Sequence, residues 1–388
     1  MERPEKKRIS VIGSTGSIGR QSLDVAAHLD YEVTALAAGR NAALLEEQIR
    51  AFRPKVAALY DKEAARDLKI KVADTGTKIL SGMEGVRAAA AEGDADLVIV
   101  AVVGMIGIEP TVAAINAGKT VGLANKESLV CGGELVTGLA KEKNVKIIPI
   151  DSEHSAVFQS LQGAGGNKIN KIILTASGGP FFGKTRDELK DVTPEKALKH
   201  PNWSMGAKIT IDSSTLVNKG LEFIEAYWLF GVKPSQIEIV IHRESILHSA
   251  VEFEDGSVIA QMGVPDMRVP IQYAVTYPRR LPSPAARLSL TDVGRLTFFK
   301  PDFETFKGRK AFTSSIETGG TMPAALNAAN EEAVSLFLEG KIGYNDISDI
   351  ICDTLASHRA ESCDSVEKIF AVNDEVKSRV RRERGAAR

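Results

Sequence analysis

The chain has 388 residues, and its 49 Lys and Arg nearly cancel 50 Asp and Glu, leaving a formal net charge of −1. That balance excludes a global field that would draw the protein to nucleic acid or an acidic membrane. The length exceeds what one core organises, so two or three domains are expected.

The three cysteines, Cys131, Cys352 and Cys363, form no Cys-x-x-Cys pair, which fits a reducing compartment and excludes a disulfide framework. Glu2 to Arg8 is charged and carries no secretory h-region, and the longest apolar run, Leu97 to Val103, is too short to span a bilayer. A cytoplasmic protein is expected. The basic run Lys377 to Arg384 reads as a solvated helix end, with its charge near the negative dipole terminus.

Up to about residue 150, short β-branched runs alternate with helical segments. Arg8–Ile12, Tyr31–Leu36, Val56–Tyr60, Asp96–Val103, Lys119–Leu123 and Lys146–Ile150 read as strands, with helices such as Asn41–Phe52 and Glu127–Lys143 between them. Near-continuous apolar strands with covering helices predict an α/β, doubly wound, Rossmann-like parallel sheet. Residues 151–285 change character. Lys171–Thr175, Ile237–Ile241, His248–Phe253 and Ser257–Gln261 suggest a central α+β catalytic domain, the last two runs joined by the hairpin turn Glu254-Asp255-Gly256. A linker is expected at 286–311, after the Pro-rich run Tyr277–Pro284, and a C-terminal helical bundle at 312–388.

Gly13-Ser14-Thr15-Gly16-Ser17-Ile18-Gly19 lies between the first strand and a helix. Glycine there lets the backbone approach a pyrophosphate, and the helix N-terminus supplies N–H donors. The spacing is Gly-x-x-Gly-x-x-Gly, not the plain Rossmann Gly-x-Gly-x-x-Gly. After the second strand the chain reads Gly39-Arg40-Asn41 where an NAD site usually has an acidic residue. A guanidinium there suits a 2′-phosphate, so NADP is favoured, the alternative being an exposed helix-start arginine.

Asp151 and Glu153 follow the strand Lys146–Ile150, where open α/β sheets place ligands. They are two apart, so in a loop or extended segment both can face one point. Far downstream, Glu222 and Glu225 are three apart on one helix face. Singly each reads as a surface carboxylate; together they suit a hard divalent cation. Ser213 is expected to N-cap the helix carrying Glu222, and with Asn218 and Lys219 it offers a phosphate or polyol receptor. His200-Pro-Asn-Trp-Ser-Met-Gly206 fits a flap that closes an apolar wall over a ligand, against the alternative of a core Trp203. His154 and His248 are acid–base candidates without a nucleophile, and Ser177 lies in no Gly-x-Ser-x-Gly elbow, so a hydrolase triad is not expected.

These motifs together resemble the 1-deoxy-D-xylulose 5-phosphate reductoisomerases, NADPH-dependent enzymes of the non-mevalonate isoprenoid pathway. The resemblance runs from about Ile9 to the C-terminal helices. It is carried by GSTGSIG (13–19), NKE (125–127), DSEH (151–154), SGGPF (177–181), HPNWSMG (200–206), NKGLEFIEA (218–226) and PDMRVPI (265–271). It implies Mg²⁺ or Mn²⁺ on Asp151, Glu153 and Glu222, with Glu225 in support and Lys126 in the catalytic cavity. Ser152, Ser177, Ser213, Asn218, Lys219, Ser245 and His248 would meet a small phosphorylated sugar. His200 and Trp203 would close over it. NADPH would lie against Thr15, Gly16, Ser17, Ile18, Gly39, Arg40, Asn41, Asn125, Glu127, Met205 and Gly206. A homodimer is implied as well.

One departure stands out: the family usually reads His-Pro-Gln-Ser where this chain has His242-Arg243-Glu244-Ser245. Two other readings of the residues stay open. A simpler NADP-dependent dehydrogenase of the homoserine or aspartate-semialdehyde kind would need no carboxylate metal set. A nucleotide-sensing protein would bind NADPH without turnover.

Overall fold

The computed structural model describes residues 6–199, 203 and 205–385. They divide into two compact units. The first comprises Met1–Ser128, Val136–Ser155 and Asp266–Ala286; the second comprises Leu129–Leu135, Ala156–Pro265 and Arg287–Arg388.

The first unit is built on seven strands: β1 (Arg8–Ile12), β2 (Glu32–Ala38), β3 (Val56–Leu59), β4 (Lys78–Ser81), β5 (Leu97–Val100), β6 (Thr120–Leu123) and β7 (Ile147–Pro149). Their order is β4-β3-β2-β1-β5-β6-β7, with every pairing parallel. Strands such as β5, buried at every residue, can exist only with both faces covered, which explains the unbroken apolar runs in the sequence. The order reverses between β1 and β5, and this reversal is the switch point where such sheets bind ligands. β4 is an addition to the sequence expectation. Its four residues, Lys-Ile-Leu-Ser, are exposed or half-buried on the sheet edge, so no apolar run announces it. The returning segment supplies helix Arg268–Thr276, which packs against helix Ser17–His28. Lys7 ties to it by donating from Nζ to the Val275 carbonyl at 2.9 Å.

The second unit carries a mixed sheet of β8 (Ile169–Ala176), β9 (Ile237–Ile241), β10 (Leu247–Phe253) and β11 (Val258–Met262), ordered β11-β10-β8-β9. β8 and β9 are parallel, and β10 pairs antiparallel with both β8 and β11. The β10–β11 turn forms as the Asp-Gly pair implies, with Gly256 at φ 81° and its N–H donating to the Phe253 carbonyl. Helix Val217–Phe230 is buried over most of its length and ends at Gly231 in the left-handed region. A Cβ at Gly220 would stand 2.1 Å from the Phe312 ring, so this glycine lets helix Arg309–Thr318 pack closely and sets the rotation of the first helix. Helix Met322–Leu338 forms the apolar centre of the C-terminal bundle, flanked by helices Tyr344–Ser357 and Val366–Arg384. No helix among the described residues is long and apolar enough to cross a membrane.

Candidate active site

In the first unit the glycine loop stands at the reversal point. The Gly13 N–H donates to the Ala37 carbonyl at 2.8 Å and the Ala101 N–H to the Ile12 carbonyl at 2.7 Å, so the loop is moored to both neighbours of β1. A Cβ at Gly19 would lie 2.1 Å from the Gly13 carbonyl oxygen; only glycine lets the helix start so close to the loop. Gly16 occupies the N-cap of helix Ser17–His28 without a side-chain cap, which leaves the first helical N–H groups to an anion. Thr15 and Ile18 are half-buried beside the exposed Gly16 and Ser17. At the end of β2, Gly39 and Arg40 are exposed, and nothing lies within 4 Å of where a Gly39 Cβ would be. Asn41 caps helix Ala42–Phe52 by accepting from the Leu44 N–H.

Asn125 is buried and fully engaged. It donates to the Val102 and Gly104 carbonyls and to Glu127, and it accepts from the Ser128 N–H at 2.9 Å. Its carboxamide therefore shapes the loop after β5, at the switch point. The next residue, Lys126, is buried and its Nζ lies 2.6 Å from an Asp151 carboxylate oxygen.

Asp151 and Glu153 do not lie in an extended segment. The Asp151 carbonyl accepts from the Ser155 N–H at 2.8 Å, so Asp151 stands at the N-cap of helix Ser152–Leu161, with Glu153 in its first turn. Both carboxylates thus belong to the amino-terminal turn of one helix. The Ser152 hydroxyl donates to Glu153 at 2.5 Å. His154 is fully buried in the same turn.

In the second unit Glu222 is 1% exposed, and Asn218 and Lys219 from the preceding turn donate to its two oxygens. A polar group so deeply buried is costly without such hydrogen-bond partners. Glu225 is fully buried one turn further on. Ser213 does not N-cap this helix. It belongs to the last turn of helix Ala207–Ser214; the N-cap of helix Val217–Phe230 is Leu216, held at φ 60°. The break puts Ser213 and Asn218 on either side of a tight corner. Left-handed backbone at a leucine is disfavoured and persists only where the surroundings impose it. Ser245 shows the same feature at φ 52° in the turn after β9.

Asp212, next to Ser213, is a residue that sequence reading missed. It is 1% exposed, lies 2.8 Å from Lys208 Nζ, and accepts from Asn330 at 2.9 Å. The Tyr344 hydroxyl donates to the Ser214 carbonyl at 2.6 Å. The C-terminal helices thereby hold the end of helix Ala207–Ser214. No local pattern could have signalled this, because Asp212 and Asn330 are 118 positions apart.

His248 is buried on β10, and burial pushes its imidazole down to about 4, only partly opposed by hydrogen bonds to the backbone of Val264 and Gly263. It is neutral at physiological pH. Its ring centroid stands 6.4 Å from that of Trp203. Trp203 and Met205 are half-buried, and Gly206 caps helix Ala207–Ser214. His200, in the same motif, lies outside the described residues.

A doubly wound sheet with an uncapped glycine-loop helix, joined in one chain to a unit rich in buried carboxylate, ammonium and hydroxyl groups, defines a dinucleotide-dependent oxidoreductase. Family models narrow that class. The model for 1-deoxy-D-xylulose 5-phosphate reductoisomerase matches residues 9–133, that for its C-terminal domain matches 147–230, and a further DXP reductoisomerase C-terminal domain matches 262–379. The chain is 55% identical over 346 residues to the 1-deoxy-D-xylulose 5-phosphate reductoisomerase of Agathobacter rectalis, covering 89% of this chain and 91% of the relative. It is 52% identical to that of Lachnospira eligens, covering 96% and 100%. Among solved structures, the Zymomonas mobilis enzyme in complex with NADPH superposes with a TM-score of 0.92 at 40% identity, covering 98% of this chain and 100% of that one. A DOX-P reductoisomerase in complex with NADPH, fosmidomycin and magnesium gives 0.93 at 38%, covering 97% and 98%. The chain belongs to the 1-deoxy-D-xylulose 5-phosphate reductoisomerase family.

Proposed function

We infer that this chain rearranges and reduces 1-deoxy-D-xylulose 5-phosphate to 2-C-methyl-D-erythritol 4-phosphate with NADPH and a divalent cation, Mg²⁺ or Mn²⁺. The observation that carries this reading is Glu222: a buried carboxylate held by Asn218 and Lys219, on a helix that starts at the corner after Ser213. It combines a hard metal ligand with the donors a sugar phosphate requires.

Asp151, Glu153 and Glu222 are proposed to hold the cation; an all-carboxylate set suits Mg²⁺ or Mn²⁺ better than softer metals. When bound, the cation supplies Lewis-acid polarisation of the substrate ketone and adjacent hydroxyl, and NADPH supplies the hydride. The chain's own part is binding and orientation. Lys126 keeps the Asp151 carboxylate in place, and Ser152 does so for Glu153. Ser177, Ser213, Asn218, Lys219 and Ser245 bind the phosphate and nearby hydroxyls. Neutral His248 and Trp203 line the cavity, and the His200–Gly206 segment excludes water. Thr15, Gly16, Ser17 and Ile18 take the pyrophosphate, and Gly39, Arg40 and Asn41 the 2′-phosphate end. Asn125, Glu127, Met205 and Gly206 complete the cofactor's surroundings.

The functional division proposed is a cofactor domain at 1–150, a catalytic domain at 151–285, a linker at 286–311 and a helical domain at 312–388. The enzyme is proposed to act in the cytoplasm as a homodimer, which sedimentation of the purified protein tests. The deciding experiment follows NADPH absorbance with 1-deoxy-D-xylulose 5-phosphate, with and without a chelator. Oxidation that stops with chelator and returns with Mg²⁺ or Mn²⁺ supports the reading. Metal-independent reduction would replace it with a simple dehydrogenase.

A further inference from the structure

Arg243 and Glu244, in the turn after β9, take separate partners. Glu244 accepts from the Thr297 N–H at 3.2 Å and hydroxyl at 2.7 Å. Arg243 turns to the other side. Its Nη1 donates to the Ser177 carbonyl at 2.5 Å and the Gly179 carbonyl at 2.7 Å, and its guanidinium carbon lies 5.1 Å from the Phe182 ring centroid. Three contacts thus fasten one cation to the Ser-Gly-Gly-Pro-Phe-Phe segment.

That segment needs outside support. Gly178 and Gly179 both have positive φ, 76° and 64°, and adjacent glycines leave a free chain with many conformers. A Cβ at Gly179 would stand 2.8 Å from the Ser213 carbonyl oxygen, so the segment lies against the corner that carries Ser213. Within it, the Ser177 hydroxyl accepts from the Gly179 N–H at 3.2 Å. Arg243 also stands two residues before Ser245 in the turn that follows β9.

We propose that Arg243 is a positioning residue for the phosphate end of the substrate, fixing the Ser177–Gly179 backbone so that the Ser177 hydroxyl is presented before substrate arrives. This rests on the reading above that Ser177 and Ser213 meet the phosphate. Preorganisation of this kind shows in substrate affinity, because a loop left free must be ordered at the expense of binding. The planar fork suits the task better than an ammonium group, which lacks a face to stack on Phe182.

The test uses full-length, metal-loaded enzyme and the variants Arg243→Gln, Arg243→Lys and Ser177→Ala. Arg243→Gln is expected to raise KM for 1-deoxy-D-xylulose 5-phosphate about tenfold, with kcat and the KM for NADPH changed less than about twofold, the pattern of lost substrate binding. Arg243→Lys recovers part of the loss. If Arg243→Gln does not fold, Arg243→Lys carries the test, with the rise in substrate KM at about threefold. Ser177→Ala separates the two readings. If it raises the substrate KM and the Arg243 variants do not, the positioning role is overturned while the phosphate site stands. If Ser177→Ala has no effect, the phosphate reading fails, and this inference with it. An Arg243 variant that lowers kcat and weakens both ligands alike would assign Arg243 to the general fold and overturn the proposal.

Discussion

Asn330 donates its carboxamide N–H to the buried Asp212 carboxylate at 2.9 Å, joining helix Met322–Leu338 to the corner that carries Ser213. Replacing Asn330 by Leu removes one donor from a carboxylate that is 1% exposed. Loss of a buried hydrogen bond to a charged group should destabilise the fold by about 1.5–3 kcal/mol, read from urea unfolding. The substrate KM should rise as well, since Ser213 adjoins Asp212; an unaltered KM would separate the C-terminal helices from substrate binding.

Glu222→Gln keeps the shape and the Asn218 contact but removes the negative charge. Turnover should fall by about a hundredfold or more, the scale of a lost metal ligand in transition-state charge stabilisation. NADPH affinity, measured by fluorescence titration, should change little. Retained turnover would remove Glu222 from the metal set.

Arg40→Ala should weaken NADPH by about tenfold to a hundredfold, the range of one charge-assisted hydrogen bond to the 2′-phosphate. NADH, which lacks that phosphate, should be used no worse than before. Equal loss for both cofactors would make Arg40 a structural residue.

His248 sets a pH dependence. Its folded pKa, about 4, lies below the unfolded value of about 6.5, so the unfolded chain binds the proton first as pH falls. Its contribution is complete above pH 6.5 and is lost progressively down to pH 4, reaching about 3 kcal/mol at most. Unfolding of His248→Gln should therefore depend less steeply on pH between 4 and 6.5 than that of the unsubstituted chain. Equal slopes would show that His248 titrates normally in the fold.

The parallel sheet was legible because strands buried on both faces leave unbroken apolar runs, as Leu97–Val100 does. The glycine loop was legible because its spacing answers to contacts within a few residues. β4 was hidden because an edge strand of four half-exposed residues has no such run. Ser213 was misassigned because the sequence shows a capping residue near a helix but not that Leu216 would take the left-handed corner. Of the loop or extended segment expected for Asp151 and Glu153, only Asp151 stays outside a helix, because helix Ser152–Leu161 begins at once after it. The anchors Asn330 and Tyr344 and the Arg243 clamp depend on partners 61 or more positions away, beyond the reach of spacing arguments.

The return of Asp266–Ala286 to the first unit bears on synthesis. Helix Arg268–Thr276 lies against helix Ser17–His28, and Lys7 reaches the Val275 carbonyl, so a ribosome must deliver nearly three quarters of the chain before the first sheet has its full cover. Until then, apolar surface on Ser17–His28 stays open, in a nascent chain that grows at about 5–20 residues per second. A fragment ending near residue 150 would keep every strand of the parallel sheet and still lack one of its helices.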